Sequence, residues 1–180
     1  MSVPISRKLI ALAGFMGCGK TTVGRLLAER LGWRFVDLDT RIVERARASI
    51  VEIFRRHGEP AFREIEAEAL GRALGEAVEG GHATVLALGG GTLTRAENMA
   101  RLRQAGAALV WLDCPVDQLL ERCAGVTDRP LFRDEASFRR LHLERLPLYA
   151  QADYRVDATL EPPQVVERIL SLLLPAVVEH

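Results

Sequence analysis

Short apolar runs that alternate with longer helical patterns constrain the fold of this chain most strongly. Each run is at most five residues long, which is typical of a buried strand. The runs lie at residues 9–13, 34–38, 84–88, 108–112 and 154–156. Strands that alternate with helices pair in parallel, because a parallel connection needs a crossover segment. We therefore expect an α/β fold with three layers (αβα), a central five-stranded parallel sheet and a single domain over residues 1–180.

The composition is that of a globular domain and argues against two classes of partner. Hydrophobic residues make up 48% of the chain and charged residues 27%, which is ordinary for a folded protein. The 24 Lys and Arg residues balance 24 Asp and Glu residues, which does not favour binding to nucleic acid or to an anionic membrane. The three cysteines form no C-x-x-C pair, which argues against a disulfide scaffold or a zinc site. The sequence shows neither a signal-peptide pattern nor a bilayer-spanning stretch, so we expect a cytoplasmic protein. We also expect a monomer.

A phosphate-binding motif follows the first apolar run. Residues 14–21, GFMGCGKT, match G-x-x-x-x-G-K-[ST] without a mismatch, between a predicted strand and a predicted helix as the motif requires. The glycines let backbone N–H groups surround phosphate oxygens, Lys20 would reach the β- and γ-phosphates, and the Thr21 hydroxyl would ligate Mg²⁺. The candidate ATP-binding residues here are Gly14, Gly17, Cys18, Gly19, Lys20, Thr21 and Thr22. Cys18 is either a small filler residue or a thiol made reactive by the helix N-terminus.

Two further features follow predicted strands, at the sheet edge where parallel α/β folds bind ligands. Asp37 and Asp39 end the second run, so alternation along a strand would place both carboxylates on one side, beside the phosphate motif. The alternative is a loop of solvated acids. Gly89, Gly90 and Gly91 end the third run, either as a flexible turn or as a place where a backbone N–H approaches a ligand closely.

Two arginines have spacings that are open to more than one interpretation. Arg63 and Glu66 lie one helical turn apart, so they can pair, either within a site or as a surface ion pair. Arg145 lies two residues before Pro147 in a helical stretch, where the proline either bends the helix and orients the arginine or marks the helix end.

An ordered set of short motifs resembles the shikimate kinase family from about residue 9 to residue 173. The set follows the phosphate motif and is more specific than that motif, which many families share. It consists of D-x-D at 37–39, F-R-x-x-E at 62–66, G-G-G at 89–91, R-P-L at 129–131 and R-x-P-L-Y at 145–149. The resemblance implies a P-loop kinase fold like that of nucleoside monophosphate kinases, with a mobile lid at about residues 124–134.

The resemblance also implies roles for individual residues. Arg63 and Arg145, with a backbone N–H of the Gly89–Gly91 turn, would hold the carboxylate of shikimate. Asp39 would accept hydrogen bonds from its hydroxyls and act as the base, while Asp37 would hold Mg²⁺ through water. The nucleotide would be contacted by Arg129 at its phosphates and by Arg122 and Pro162 at adenine. The implied catalytic residues are Lys20, Asp39 and Arg129.

The implied activity is ATP-dependent phosphorylation of a shikimate hydroxyl, which gives shikimate 3-phosphate and ADP in aromatic amino-acid biosynthesis. ATP would be the co-substrate, with one Mg²⁺ ion. Two alternatives stay open: a kinase for another hydroxy acid such as gluconate, and a non-catalytic sensor with the same fold. Two features depart from the family pattern, namely Cys18 where Ser or Ala is expected and a short segment between Arg129 and Arg145.

Overall fold

A computed structural model describes residues 7–124 and 134–173, and within them the chain forms one parallel sheet. The strands are β1 (Leu9–Ala13), β2 (Arg34–Asp37), β3 (Thr84–Ala87), β4 (Ala108–Asp113) and β5 (Tyr154–Asp157). Their order across the sheet is β2-β3-β1-β4-β5, and every neighbouring pair is parallel. The expectation of a five-stranded parallel sheet is confirmed.

Helices lie on both faces of the sheet, which gives the expected three-layer αβα arrangement. They are α1 (Lys20–Leu31), α2 (Leu38–Ala46), α3 (Ile50–Glu79), α4 (Ala96–Gln104), α5 (Val116–Cys123), α6 (Glu135–Tyr149) and α7 (Pro162–Leu173), with a 3₁₀ turn at Thr92–Thr94. All residues of β1 and β3 are buried, as expected for strands covered on both sides. Among the described helices, none is both long enough and apolar enough to cross a membrane. The predicted lid falls mostly on residues 125–133, outside the described residues.

The second strand is shorter than expected. It ends at Asp37, and α2 begins at the next residue, Leu38. The Asp37 carboxylate accepts a hydrogen bond from the Thr40 N–H at 3.2 Å, which caps the helix and starts it at once. Asp39 therefore lies in the first turn of α2. The expectation that Asp37 and Asp39 share one side of a strand was wrong.

Pro60 and Pro147 lie in the interior of helices, with different consequences for the chain. Gly58 has φ 79° and ψ 173°, which interrupts α3 two residues before Pro60. The second part of α3 thus begins with a proline near its first turn, where the missing N–H costs little. Pro147 does not end α6, which continues to Tyr149. Arg145 therefore projects from a regular helix.

Two aromatic side chains of α6 pack on the loop that follows β1. The rings of Phe138 and His142 each meet the Phe15 ring edge to face, with centroids at 5.0 and 5.2 Å. His142 is only 8% exposed. Burial lowers the pKa of His142 below its usual 6.5, and Asp113 offsets this only in part. The neutral imidazole is thus the form that suits this packing.

We predict that His142 makes the folded state less stable in acid. Because its pKa is lower when folded than when unfolded, the unfolded chain binds the proton first, and stability falls as pH drops below about 6.5. The variant His142→Met keeps an apolar side chain without a titrating group. Urea unfolding at pH 7.5 and 5.5 should show a smaller loss of unfolding free energy for the variant than for the wild type. An equal loss in both proteins would contradict this role.

Candidate active site

The loop between β1 and α1 is shaped to hold an anion. Gly17 and Gly19 have φ of 83° and 98°, a region that favours glycine because a side chain would be strained there. Gly19 is the N-cap of α1, and within the described residues no side chain caps that helix. The N–H groups of its first turn are therefore left for a bound ligand, and the helix dipole favours a negative one.

The side chain of Lys20 lies back across this loop. Its ammonium donates to the carbonyl of Gly14 at 2.8 Å and to that of Phe15 at 3.2 Å, and it lies 3.8 Å from Cys18 Sγ. These carbonyls fix the positive charge at the loop. A phosphate bound there would meet a cation that is already in position.

Thr21 and Asp37 form a pair of hard oxygen groups beside the loop. The Thr21 hydroxyl donates to Asp37 Oδ2 at 2.6 Å. Oxygen donors of this kind suit Mg²⁺, which keeps several waters and substrate phosphates in its coordination shell. Within the described residues, no group of three or more His, Cys, Asp or Glu side chains could hold a metal ion. The oxygens of Thr21 and Asp37 are the groups beside the loop that could contribute to the coordination shell of Mg²⁺.

A cavity of about 340 Å³ opens next to the phosphate loop. Gly17, Gly19 and Thr22 of the loop and its helix line the cavity, and so do Arg122 and Pro162. The Arg122 guanidinium donates to the carbonyl of Ala158 at 3.1 Å, which holds it at the cavity wall. The two residues expected to contact adenine therefore border the same space as the phosphate loop.

Cys18 is buried, with 2% of its surface exposed. A Cβ atom on Gly14 would lie 2.7 Å from its sulfur, so the thiol fills the space beneath the loop. This packing favours the interpretation of Cys18 as a filler residue over that of a reactive thiol.

Arg145 is a buried cation whose surroundings leave part of its guanidinium unsatisfied. It is 4% exposed, and its Nε has no hydrogen-bond partner in the described structure. Its Cζ lies 5.5 Å from the centroid of the Phe15 ring, so an aromatic face supports the charge. A buried N–H without a hydrogen-bond partner is costly, so an anionic ligand that accepts from this guanidinium would complete the site.

Tyr149 lies one turn after Arg145 and fixes the turn that follows β3. Its hydroxyl donates to the carbonyl of Gly90 at 2.6 Å. Burial raises the pKa of Tyr149 well above its usual value, so the phenol stays protonated and keeps donating.

Arg63 is held in place by two carboxylates. Its Nη1 donates to Glu66 Oε2 at 2.7 Å, and its Nε and Nη2 donate to Glu59 Oε1 at 3.3 and 2.9 Å. Burial disfavours the charged guanidinium, but the nearby Glu66 and Glu59 outweigh that effect and raise the pKa of Arg63. Arg63 is therefore a permanent cation, and its Cζ lies 5.2 Å from the Phe62 ring centroid.

The triple glycine brings both arginines to one turn. A Cβ atom on Gly90 would lie 3.3 Å from Arg145 Nη1, and one on Gly91 would lie 2.6 Å from Arg63 Nη1. None of the three glycines has a positive φ. Glycine is needed here for close approach rather than for an unusual backbone, which decides between the two interpretations of the sequence. The guanidinium groups of Arg63 in α3 and Arg145 in α6 thus lie against consecutive glycines of one turn, although the two helices are far apart in the sequence.

Asp39 faces the first residue of the same turn. A Cβ atom on Gly89 would lie 3.0 Å from Asp39 Oδ1 and 2.6 Å from Glu66 Oε1. Asp39 and Asp37 therefore point to different parts of the site, one toward the glycine turn and the other toward Thr21. An acceptor carboxylate thus lies at the same glycine turn as the two arginines.

The structure brings together the expected residues that it describes, and it adds others that the sequence analysis did not assign to a site. Arg129 lies outside the described residues. Glu66, Tyr149 and Phe15 were not predicted as site residues. The spacing of Glu66 from Arg63 and the place of Tyr149 in the R-x-P-L-Y motif were signals for two of them, whereas the contacts of Phe15 with α6 are created by the fold.

Comparisons with known proteins identify the family to which this sequence is similar. A family model described as shikimate kinase matches residues 16–174. A shikimate kinase from Geobacter sulfurreducens is 43% identical, covering 100% of this chain and 96% of the relative. One from Persephonella marina is 41% identical, covering 89% of this chain and 96% of the relative.

A solved structure gives the same result for the fold. The shikimate kinase from Acinetobacter baumannii in complex with shikimate has a TM-score of 0.89 and 36% identity, with 97% of each chain covered. The family-model match and the similarity over nearly the whole length show that this chain belongs to the shikimate kinase family.

Proposed function

We propose that this chain transfers the γ-phosphoryl group of ATP to a hydroxyl of shikimate, through the residues gathered at the carboxyl edge of its sheet. The products are shikimate 3-phosphate and ADP. The observation that carries the assignment of roles is the meeting of Arg63 and Arg145 at Gly90 and Gly91. Two cations at one narrow turn, one of them with an unsatisfied Nε, call for a small anion.

The carboxylate of shikimate is the anion that we assign to this place. Guanidinium groups bind carboxylates through parallel N–H bonds in a fixed geometry. Phe15 and Phe62 lie against Arg145 and Arg63, so both cations are oriented before the ligand arrives. A site ordered in advance loses less entropy on binding.

Asp39 is the group that we assign to the hydroxyls of the bound ring. With the carboxylate anchored at the arginines, a ring hydroxyl would lie between Asp39 and the phosphate loop. During transfer, the hydroxyl oxygen bonds to the γ-phosphorus, the bond to the β–γ bridging oxygen breaks, and the hydroxyl proton passes to the Asp39 carboxylate. A carboxylate that only accepts hydrogen bonds suits this task.

Lys20, Thr21 and Asp37 are assigned to the phosphate side of the reaction. The loop N–H groups and the Lys20 ammonium would neutralise the β- and γ-phosphates as charge moves to the leaving group. Thr21 would ligate Mg²⁺ directly and Asp37 through water, and the ion, when bound, supplies charge neutralisation at the phosphates. Phosphoryl transfer depends mainly on such positioning. Arg129 is proposed to add a guanidinium at the phosphates.

The remaining assignments concern the binding of adenine and the cellular location of the protein. We assign the adenine ring to the space between Arg122 and Pro162, because both border the cavity that continues from the phosphate loop. Use of ATP as co-substrate supports a cytoplasmic enzyme.

Two other functions deserve a direct comparison. A kinase for gluconate would use the same arginines, because gluconate also carries a carboxylate. A non-catalytic sensor would not need Lys20, Thr21, Asp37 and Asp39 in transfer geometry. Turnover with a panel of hydroxy acids separates the three: phosphorylation of shikimate above the others supports our proposal, and its absence contradicts it.

We predict that Arg145→Ala weakens shikimate binding while leaving ATP binding unchanged. Removing one partner of a desolvated charge pair typically costs about 2–5 kcal/mol, which corresponds to at least a roughly 30-fold higher Kd. Calorimetric titration with each ligand measures both effects. Arg140→Ala is the matched control, since Arg140 is an exposed arginine of the same helix. Unchanged shikimate affinity in folded Arg145→Ala would rule out the carboxylate site.

We predict that Asp39→Asn slows the chemical step far more than it changes ATP affinity. The amide keeps the shape of the side chain, but it takes no proton and presents a donor where an acceptor is needed. Positioned bases typically contribute about 10²–10⁴-fold, and a loss in that range is expected in single-turnover experiments. A near-wild-type single-turnover rate would remove Asp39 from the mechanism.

A further inference from the structure

Glu59 occupies the face of Arg63 that a ligand carboxylate would need. The Nε–H and Nη2–H groups of a guanidinium form a parallel pair that binds the two oxygens of a carboxylate. In Arg63 both groups point to a single oxygen, Glu59 Oε1, at 3.3 and 2.9 Å. Glu59 therefore already occupies these two N–H groups of Arg63, and it does so with one oxygen where a ligand carboxylate would use two.

The two glutamates on Arg63 differ in how firmly they are held. Glu66 is 1% exposed, and its second oxygen accepts from the Thr92 hydroxyl at 2.7 Å. The Glu59 side chain is 48% exposed, and Arg63 is its only partner within the described ranges. Glu59 also follows Gly58, where the helix is interrupted. Glu66 is therefore a permanent partner, whereas Glu59 can leave at little cost.

The charges around Arg63 favour the departure of one of the carboxylates, even with Arg145 beside it. Arg63 carries one positive charge and already faces two negative side chains. A ligand carboxylate would be the third, and like charges at one cation repel. Since Glu66 is buried and fixed on both sides, Glu59 is the group that has to move.

We propose that Glu59 is an internal competitor of the substrate carboxylate, which occupies Arg63 in the free enzyme and is displaced when shikimate binds. This rests on the proposed function, in which Arg63 binds that carboxylate. Glu59 sets the substrate affinity by reducing the fraction of enzyme with a free Arg63.

The direct test is Glu59→Gln, which removes the charge and keeps the length of the side chain. An exposed ion pair of usual strength shifts an equilibrium by up to about fivefold, so the Kd for shikimate should fall by about two- to fivefold, with kcat unchanged. Glu68→Gln is the matched control, because Glu68 forms an exposed pair with Arg72 at the same spacing in the same helix. It should leave the Kd unchanged. Were Glu59 instead to hold Arg63 in its working position, Glu59→Gln would raise the Kd.

A double-mutant cycle separates competition at Arg63 from a general effect of charge. In an Arg63→Ala background, the added Glu59→Gln change should leave kcat/KM for shikimate unaltered, because the contact is gone. An equal gain in that background, or in Glu68→Gln, would overturn the proposal, as would an unchanged or higher Kd in Glu59→Gln alone. Failure of the wild type to phosphorylate shikimate would contradict the proposed function, whereas turnover with an unchanged Kd in Glu59→Gln contradicts only the competitor.

Discussion

The ion pair between Glu66 and Arg63 is the interaction on which the acceptor half of the site depends. Glu66 is a buried carboxylate, and both of its oxygens are used, one by Arg63 Nη1 and the other by the Thr92 hydroxyl, each at 2.7 Å. A buried charge without such partners would cost several kcal/mol or would be neutralised. Arg63 lies in α3 and Thr92 follows the triple glycine, so a single carboxylate joins the long helix to the turn after β3.

The other contacts of the acceptor site extend from this ion pair along the glycine turn. Arg63 lies against Gly91, and the preceding Gly90 meets Arg145 from α6. Tyr149, also in α6, donates a hydrogen bond to the Gly90 carbonyl and so links α6 to the same turn. Three separate parts of the chain thus hold each other at one short turn. We propose that the acceptor binds at this corner beside the phosphate loop, and the two halves of the site share the carboxyl edge of one sheet.

The phosphate half of the site could be predicted from the sequence, because its residues act through local geometry, whereas the roles of Arg63 and Arg145 were implied only by the resemblance to the family. The phosphate loop needs glycines at fixed positions, and the alternation of strands and helices places it at the correct edge of the sheet. The position of Asp39 could not be predicted, since it depends on Asp37 capping α2 one residue after the strand. The bond from Tyr149 to Gly90 joins residues 59 positions apart, and no local pattern indicates such a contact. Burial of Glu66 is likewise a product of the fold.

The central claim is that two arginines at the glycine turn recognise the carboxylate of the acceptor. The most direct measurement compares kcat/KM of the unmodified enzyme for shikimate and for its methyl ester, which keeps the ring and the hydroxyls but carries no charge. The ester would leave Arg145 and Arg63 without their anion. At a cost of about 2–5 kcal/mol, kcat/KM should fall by at least roughly 30-fold. Equal kcat/KM values for the acid and the ester would contradict the account.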